Sequence, residues 1–238
     1  MGHLNIGALI YPNMDQADFT APFEVLSRIP ESTFHVIGSN RNPVRDVHGL
    51  ILTPEITFPE TPRLDVLVVP GGAGQEERMH DEETLSFIRD QARTAQYLFS
   101  VCTGALLCGA AGLLRGVKST THWAAFHLLE YFGAIPVNSR VVVDGRHISA
   151  AGVTAGLDGS LRLVSLLCGD DIAQQIQLSI EYSPEPIFNA GNPLTAPSEI
   201  VNSVRNSFQK ITDRRLATAR QLAARLGIES PSEKADFS

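Results

Sequence analysis

Two apolar runs constrain this chain most. Asp65-Val66-Leu67-Val68-Val69 ends in Pro70-Gly71-Gly72, and Tyr97-Leu98-Phe99-Ser100-Val101 passes directly into Cys102-Thr103-Gly104. Neither run alternates polar with apolar residues. A strand that is apolar on both sides needs cover on both faces, as in a parallel sheet. Each run is followed by helical spacing: Leu85, Ile88, Ala92 and Ala95 after the first, Ala105 to Leu114 after the second. Strands that alternate with helices build an α/β sheet, and such sheets bind ligands beyond the carboxyl ends of their strands. The residues just after Val69 and Val101 are therefore the first places to look for a site.

Further strands are predicted at Leu4 to Ile10 and Phe34 to Gly38, and a hairpin at Val141 to Ser149 turning on Asp144-Gly145. Helices are predicted from Pro22 to Ile29, with Pro22 in the first turn, and at Leu157 to Leu167 and Ile172 to Ile180. The expected fold class is α/β, a mostly parallel sheet sandwiched by helices, with a C-terminal helix. Pro184 to Pro197 reads as a long loop. Ser198 to Leu226 carries Ile200, Val204, Phe208, Ile211, Ala219, Leu222 and Leu226 on one stripe, and six cationic residues against two acids. It reads as a docked surface helix with a solvated basic face. Glu229 to Ser238 is polar and reads as a frayed tail. Residues 1–197 are expected to form the α/β domain including the loop, with 198–238 packed on it.

Composition narrows the partners. The net charge is −7 over 238 residues, which disfavours nucleic acid, whose binding depends on cationic contacts to phosphate. No stretch approaches the roughly 18 consecutive apolar residues of a membrane span. Met1 to Tyr11 lacks the basic start and small-residue cleavage pattern of a signal peptide. The three cysteines, Cys102, Cys108 and Cys168, are odd in number and show no CxxC spacing, so neither a disulfide framework nor a zinc site is expected. Reduced thiols in a cytoplasm fit this pattern. His122 and His127 are five apart, not at the i, i+4 spacing of a helical metal pair, and no metal is expected.

Cys102 stands where a buried strand turns into a helix. Such a turn lifts a side chain out of the sheet, and the helix N-terminus is expected to stabilise a thiolate and lower its pKa. A thiolate can then act as nucleophile without a metal or a cofactor. Cys108 and Cys168 read as core thiols. Gly71-Gly72-Ala73-Gly74 offers backbone N–H groups at the same sheet edge. Asp18 follows the first strand and is either a helix cap or a candidate acid at that edge. His122 is either a pocket residue or a hydrogen-bonded core histidine.

These stretches resemble the ThiJ/PfpI superfamily, whose fold is flavodoxin-like and of the class I glutamine-amidotransferase type. The resemblance is carried by Tyr11-Pro12, Asp18-Phe19-Thr20-Ala21-Pro22-Phe23-Glu24, Asp65 to Gly72, Ser100-Val101-Cys102-Thr103-Gly104-Ala105, Thr120-Thr121-His122-Trp123 and Ala151 to Asp158. The loop Glu181 to Pro193, followed by Thr195-Ala196-Pro197, is similar to that of the superfamily's isonitrile-hydrating members. The resemblance implies Cys102 as nucleophile, Asp18 as a protonated acid beside it, and Thr103 at the position after the nucleophile. Gly72 and Thr103 are the expected charge- or water-positioning amides. Ala73, Val153 and His122 complete the expected substrate-binding set. It also implies hydration of an isonitrile by water to an N-substituted formamide, without cofactor, in a homodimer. The hydratases' Gly-Gly-Gly-Ile type of turn is Ala150-Ala151-Gly152-Val153 here. The alternatives are a redox sensor, a glyoxalase- or deglycase-like enzyme, and a ligand-sensing regulator. Thr103 stands where peptidase-like relatives carry a His or Tyr, which argues against peptidase chemistry.

Overall fold

The computed structural model describes residues 2–229. In chain order the elements are β1 (Leu4–Leu9), α1 (Gln16–Leu26), β2 (Ser32–Gly38), β3 (Val44–Arg45), β4 (Ile51–Leu52), β5 (Ile56–Thr57), β6 (Val66–Val69), α2 (Gln75–Arg78) and α3 (Glu82–Thr94). They continue with β7 (Tyr97–Val101), α4 (Gly104–Ala110), β8 (Lys118–Ser119), a 3-10 stretch (Trp123–Phe132), β9 (Ile135–Pro136), β10 (Val141–Asp144) and β11 (His147–Ala150). Three helices close the chain: α5 (Ala155–Cys168), α6 (Asp170–Ser179) and α7 (Ser198–Leu226). Residues 230–238, most of the expected tail, lie outside the described residues.

The main sheet has seven strands in the order β10-β11-β7-β6-β1-β2-β5. All its pairs are parallel except β10 with β11, which form the hairpin expected around Asp144-Gly145. β6 and β7 are buried along almost their whole length, as their unbroken apolar sequences require. From β1 the chain goes to β2 on one side, then crosses to β6, β7 and β11 on the other. The order therefore reverses between β1 and β6, the place where α/β sheets bind ligands beyond the carboxyl ends of their strands.

Helix α1 begins six residues before the predicted Pro22 start. Asp15 caps it, accepting from the Ala17 amide at 3.0 Å. Pro22 therefore lies inside the helix, where it forgoes the bond to the Asp18 carbonyl. Burial of Phe19, Val25 and Leu26 holds the helix through that gap. Because Asp15 takes the capping role, Asp18 stands within the first turn with its side chain free for another use. Helix α7 matches its predicted bounds and packs on the 3-10 stretch and on α2. Ala219 and Leu222 of α7 join the main core.

Candidate active site

The site is assembled by backbone first. Residues 13–15 zip onto residues 71–74. Met14 bridges Gly72, the Asp15 amide donates to the Gly71 carbonyl at 3.1 Å, and the Gly74 amide donates to the Asn13 carbonyl at 2.7 Å. Gly72 takes φ +113°, and a Cβ there would stand 2.2 Å from the Asp15 nitrogen, so this crossing requires glycine. On the other side, α4 starts directly against the end of β6: a Cβ on Gly104 would sit 2.0 Å from the Val69 carbonyl oxygen. The loops after β1, β6 and β7 are thus pressed together.

Cys102 takes φ +56°, in the left-handed region that a residue with a Cβ enters at a cost of about 1–3 kcal/mol. The surroundings hold it there. Its amide donates to the Ala150 carbonyl at 2.9 Å, and its carbonyl accepts from Thr121 Oγ1 at 2.7 Å. The side chain is 6% exposed. Asp18 is fully buried, and its Oδ2 accepts from the Gly71 amide at 3.0 Å. Its Oδ1 is buried without a partner of normal hydrogen-bonding geometry, and the Cys102 thiol is the neighbouring side chain that stabilises the carboxyl's charge. Tyr11 closes the floor, its hydroxyl donating between the carbonyls of Pro70 at 2.7 Å and Gly71 at 2.9 Å.

The electrostatics correct the simple picture of an acidified thiol. Burial pushes the Cys102 thiol well up, and the charge of Asp18 pushes it further; the Thr103 amide and Arg215 pull it down. Burial and the nearby Asp15 likewise hold Asp18 well above the usual carboxylate range. Burial outweighs the helix N-terminus, and the two groups cannot both ionise. A sulfur anion is favoured only while Asp18 stays protonated.

The other expected residues fall as follows. Thr103 is buried, and its Oγ1 accepts from the Gly72 amide at 3.1 Å. The Gly72 N–H, one of the two expected charge- or water-positioning amides, is thus hydrogen-bonded to Thr103. Ala73 is exposed at the turn before α2. Val153 is half-buried in the turn after β11. A Cβ added to Gly152 in that turn would lie 4.0 Å from the His122 ring, which places this turn beside His122. His122 caps the 3-10 stretch, its Nδ1 accepting from the Ala124 amide at 3.3 Å. Burial and Arg215 push it down to about 4, so it is neutral at pH 7 with its proton on Nε2. Cys108 is buried in α4, as expected, whereas Cys168 at the end of α5 is only partly buried. A cavity of about 270 Å³ opens beyond β1 and β2, lined by Tyr11, Asn40, Asn42 and Arg78 among others, but Cys102 does not line it. Among the described residues no three His, Cys, Asp or Glu side chains gather to hold a metal.

The DJ-1/PfpI family model matches residues 5–166, the segment that contains every loop just described. This chain belongs to the DJ-1/PfpI family. Its relatives include the isonitrile hydratase of Pseudomonas putida, 46% identical over 94% of this chain and 99% of that protein. The chain is thus a close homologue of isonitrile hydratase. The structure is similar to that of a ThiJ/PfpI family protein from Pseudomonas syringae, with a TM-score of 0.89 and 39% identity over 92% of this chain and 91% of that one. The HTH-type transcriptional regulator GbdR of Pseudomonas aeruginosa is 29% identical over 63% of this chain, but that match spans only 41% of the regulator.

One residue of this DJ-1/PfpI chain's site was missed in the sequence. The basic face of α7 is not simply solvated: Arg215 is 6% exposed, donating from Nε to Gln75 Oε1 at 3.0 Å and from Nη2 to the Gly72 carbonyl at 2.7 Å. Nη2 also lies 3.4 Å from Thr103 Oγ1. The signal was present, since Arg215 stands four residues from both Ile211 and Ala219 and fills the gap in the apolar stripe.

Proposed function

We propose that this protein hydrates isonitriles to N-substituted formamides, with Cys102 as nucleophile and Asp18 as a proton shuttle. The observation that carries this reading is the pairing of a thiol at a left-handed turn with a buried carboxyl held well above the usual carboxylate range, in a chain homologous to isonitrile hydratase over nearly its full length. The terminal carbon of R–N≡C becomes electrophilic as it is protonated. The Cys102 thiolate attacks that carbon while Asp18 gives it a proton, forming the thioimidate R–N=CH–S–Cys102. Water then adds to the same carbon, with Asp18 taking a proton from the water and passing it to nitrogen. The intermediate R–NH–CH(OH)–S–Cys102 collapses by breaking its C–S bond. The hydroxyl proton returns to Asp18, the thiolate is restored, and R–NH–CHO leaves. One water is consumed and no electrons are exchanged.

Thr103 supports the sulfur through its amide, and its hydroxyl braces the Gly72 turn. Neutral His122 and the turn at Val153 border the place for the R group. The α7 helix is read as part of the same domain as residues 1–197. A homodimer is also proposed. Leu178, Ile187, Phe188 and Leu194 are largely exposed, and their apolar surface suits a second copy. Sedimentation equilibrium should give twice the 25.8 kDa chain mass. A 25.8 kDa species would remove the dimer. No helix among the described residues is long and apolar enough to cross a membrane.

The glyoxalase-like alternative uses the same thiol on an aldehyde. Supplying an alkyl isonitrile and methylglyoxal in parallel distinguishes the two. The formamide, identified by NMR, is the expected product; lactate from methylglyoxal with no formamide would overturn the hydratase reading.

A further inference from the structure

We propose that Arg215 is a positioning residue for the Cys102 reaction: its guanidinium, delivered by α7, favours negative charge on the sulfur as the thiolate forms and braces the turn at Thr103. This rests on the reading of Cys102 as nucleophile. The argument begins from a buried cation. A guanidinium stays charged in proteins, and a buried charge without a counter-ion is costly. The direct acceptors of Arg215 are all neutral: Gln75 Oε1, the Gly72 carbonyl and Thr103 Oγ1. Glu76 also favours the Arg215 charge, but its oxygens are hydrogen-bonded by other side chains. Arg214 Nε donates to Glu76 Oε2 at 3.1 Å, and Thr218 donates to Glu76 Oε1 at 2.8 Å. Of the groups that favour the Arg215 charge, the Cys102 sulfur acts most strongly, ahead of Tyr11 and Glu76, and the hydrogen bonds to the Gly72 carbonyl and Thr103 Oγ1 fix the guanidinium at the turn that carries Cys102.

The cluster's other charged and titratable groups do not supply an equivalent cation. Asp18 and Asp15 face Cys102, Arg78 acts on Tyr11, and Glu76 and Arg214 flank Arg215. Arg215 is the cation that acts on Cys102, Asp18, Tyr11 and His122 alike. Burial first, and Arg215 second, keep His122 neutral, so His122 supplies no positive charge in place of Arg215. Gln75 orients the guanidinium even though its own Nε2 is buried without a partner. That unsatisfied donor is destabilising by itself, as expected where side chains are arranged for charge rather than stability.

The test is the pH dependence of Cys102 alkylation by iodoacetamide, with the modified peptide identified by mass spectrometry. Arg215→Gln should raise the midpoint by about one pH unit or more. That corresponds to roughly tenfold slower alkylation at neutral pH. Arg215→Lys, which keeps the charge, should stay close to wild type. Arg214→Gln removes a neighbouring ion pair on the same helix and should lower the melting temperature without moving the midpoint. Gln75→Met is the variant least at risk of unfolding, because it removes an unpaired donor. It leaves the guanidinium unanchored and should shift the midpoint in the same direction by less. Unchanged midpoints in the folded variants among Arg215→Gln and Gln75→Met would overturn the proposal, as would a Lys variant that behaves like Gln. Alkylation needs no isonitrile. A wild-type protein that fails to hydrate isonitriles removes the proposed function and leaves this assignment standing, and an unmoved midpoint does the reverse.

Discussion

Cys102 and Cys108 are two buried thiols at either end of one short structural unit, and they differ in almost everything except burial. Cys108 lies inside α4, and burial alone pushes its thiol up to about 12. Cys102 is buried too, but it sits at a left-handed turn and is surrounded by Asp18, the Thr103 amide and Arg215. Burial makes a thiol inert. What makes a buried thiol useful is a nearby proton store and a nearby positive charge. The fold supplies these to one of the two positions because that position lies at the end of a central strand, where loops from β1 and β6 and helix α7 converge.

The largest effect should come from removing the nucleophile. Cys102→Ser keeps the shape of the turn and should reduce kcat with an isonitrile on the order of 10⁴-fold or more. The same substitution at Cys108 should leave kcat unchanged, and equal losses at both positions would erase the comparison. Asp18→Asn should lose about 10²- to 10⁴-fold while the Gly71 amide retains an acceptor.

Asp18 also makes a prediction of opposite sign for stability. A carboxyl whose folded pKa is raised binds its proton more tightly in the native state. Its stabilising contribution is complete below the ordinary aspartate value of 3.8 and declines as pH rises toward the raised value. Asp18→Asn should therefore gain stability relative to wild type, by about 1–3 kcal/mol at pH 8. The gain should shrink as the pH approaches 4 in urea denaturation. A constant difference across that range would mean that Asp18 is not held protonated. The smallest effect belongs to Cys108→Ala. It leaves a small void in the core at α4 and should cost about 1–2 kcal/mol with no change in the alkylation of Cys102.

Much of this arrangement was legible in the sequence because strands and glycine turns are local. The apolar runs marked β6 and β7, and Gly71-Gly72 and Cys102-Thr103-Gly104 marked the turns after them. Asp18 could be placed at the same edge, but its freedom depends on Asp15 taking the cap, which local preference does not decide between two aspartates three residues apart. The helix was also predicted to start at Pro22, since an interior proline is tolerated only where tertiary packing compensates for it. Arg215 was harder still. It is more than a hundred residues from Cys102, and a cation on a helix is ordinarily solvated. Its position in the apolar stripe of α7 was a usable sign, but its counter-charge comes from residues that only the fold brings near. The acidity of Cys102 was misjudged for a related reason: a helix N-terminus can be seen in sequence, whereas the depth of burial that outweighs it cannot.

The central claim is that Cys102 carries an isonitrile carbon to a formamide. The most direct measurement gives wild-type protein and Cys102→Ala the same alkyl isonitrile at neutral pH and follows the formyl proton by NMR. The account predicts a formamide signal that grows with wild type and stays at the uncatalysed background with the variant. A signal that grows equally in both would contradict it.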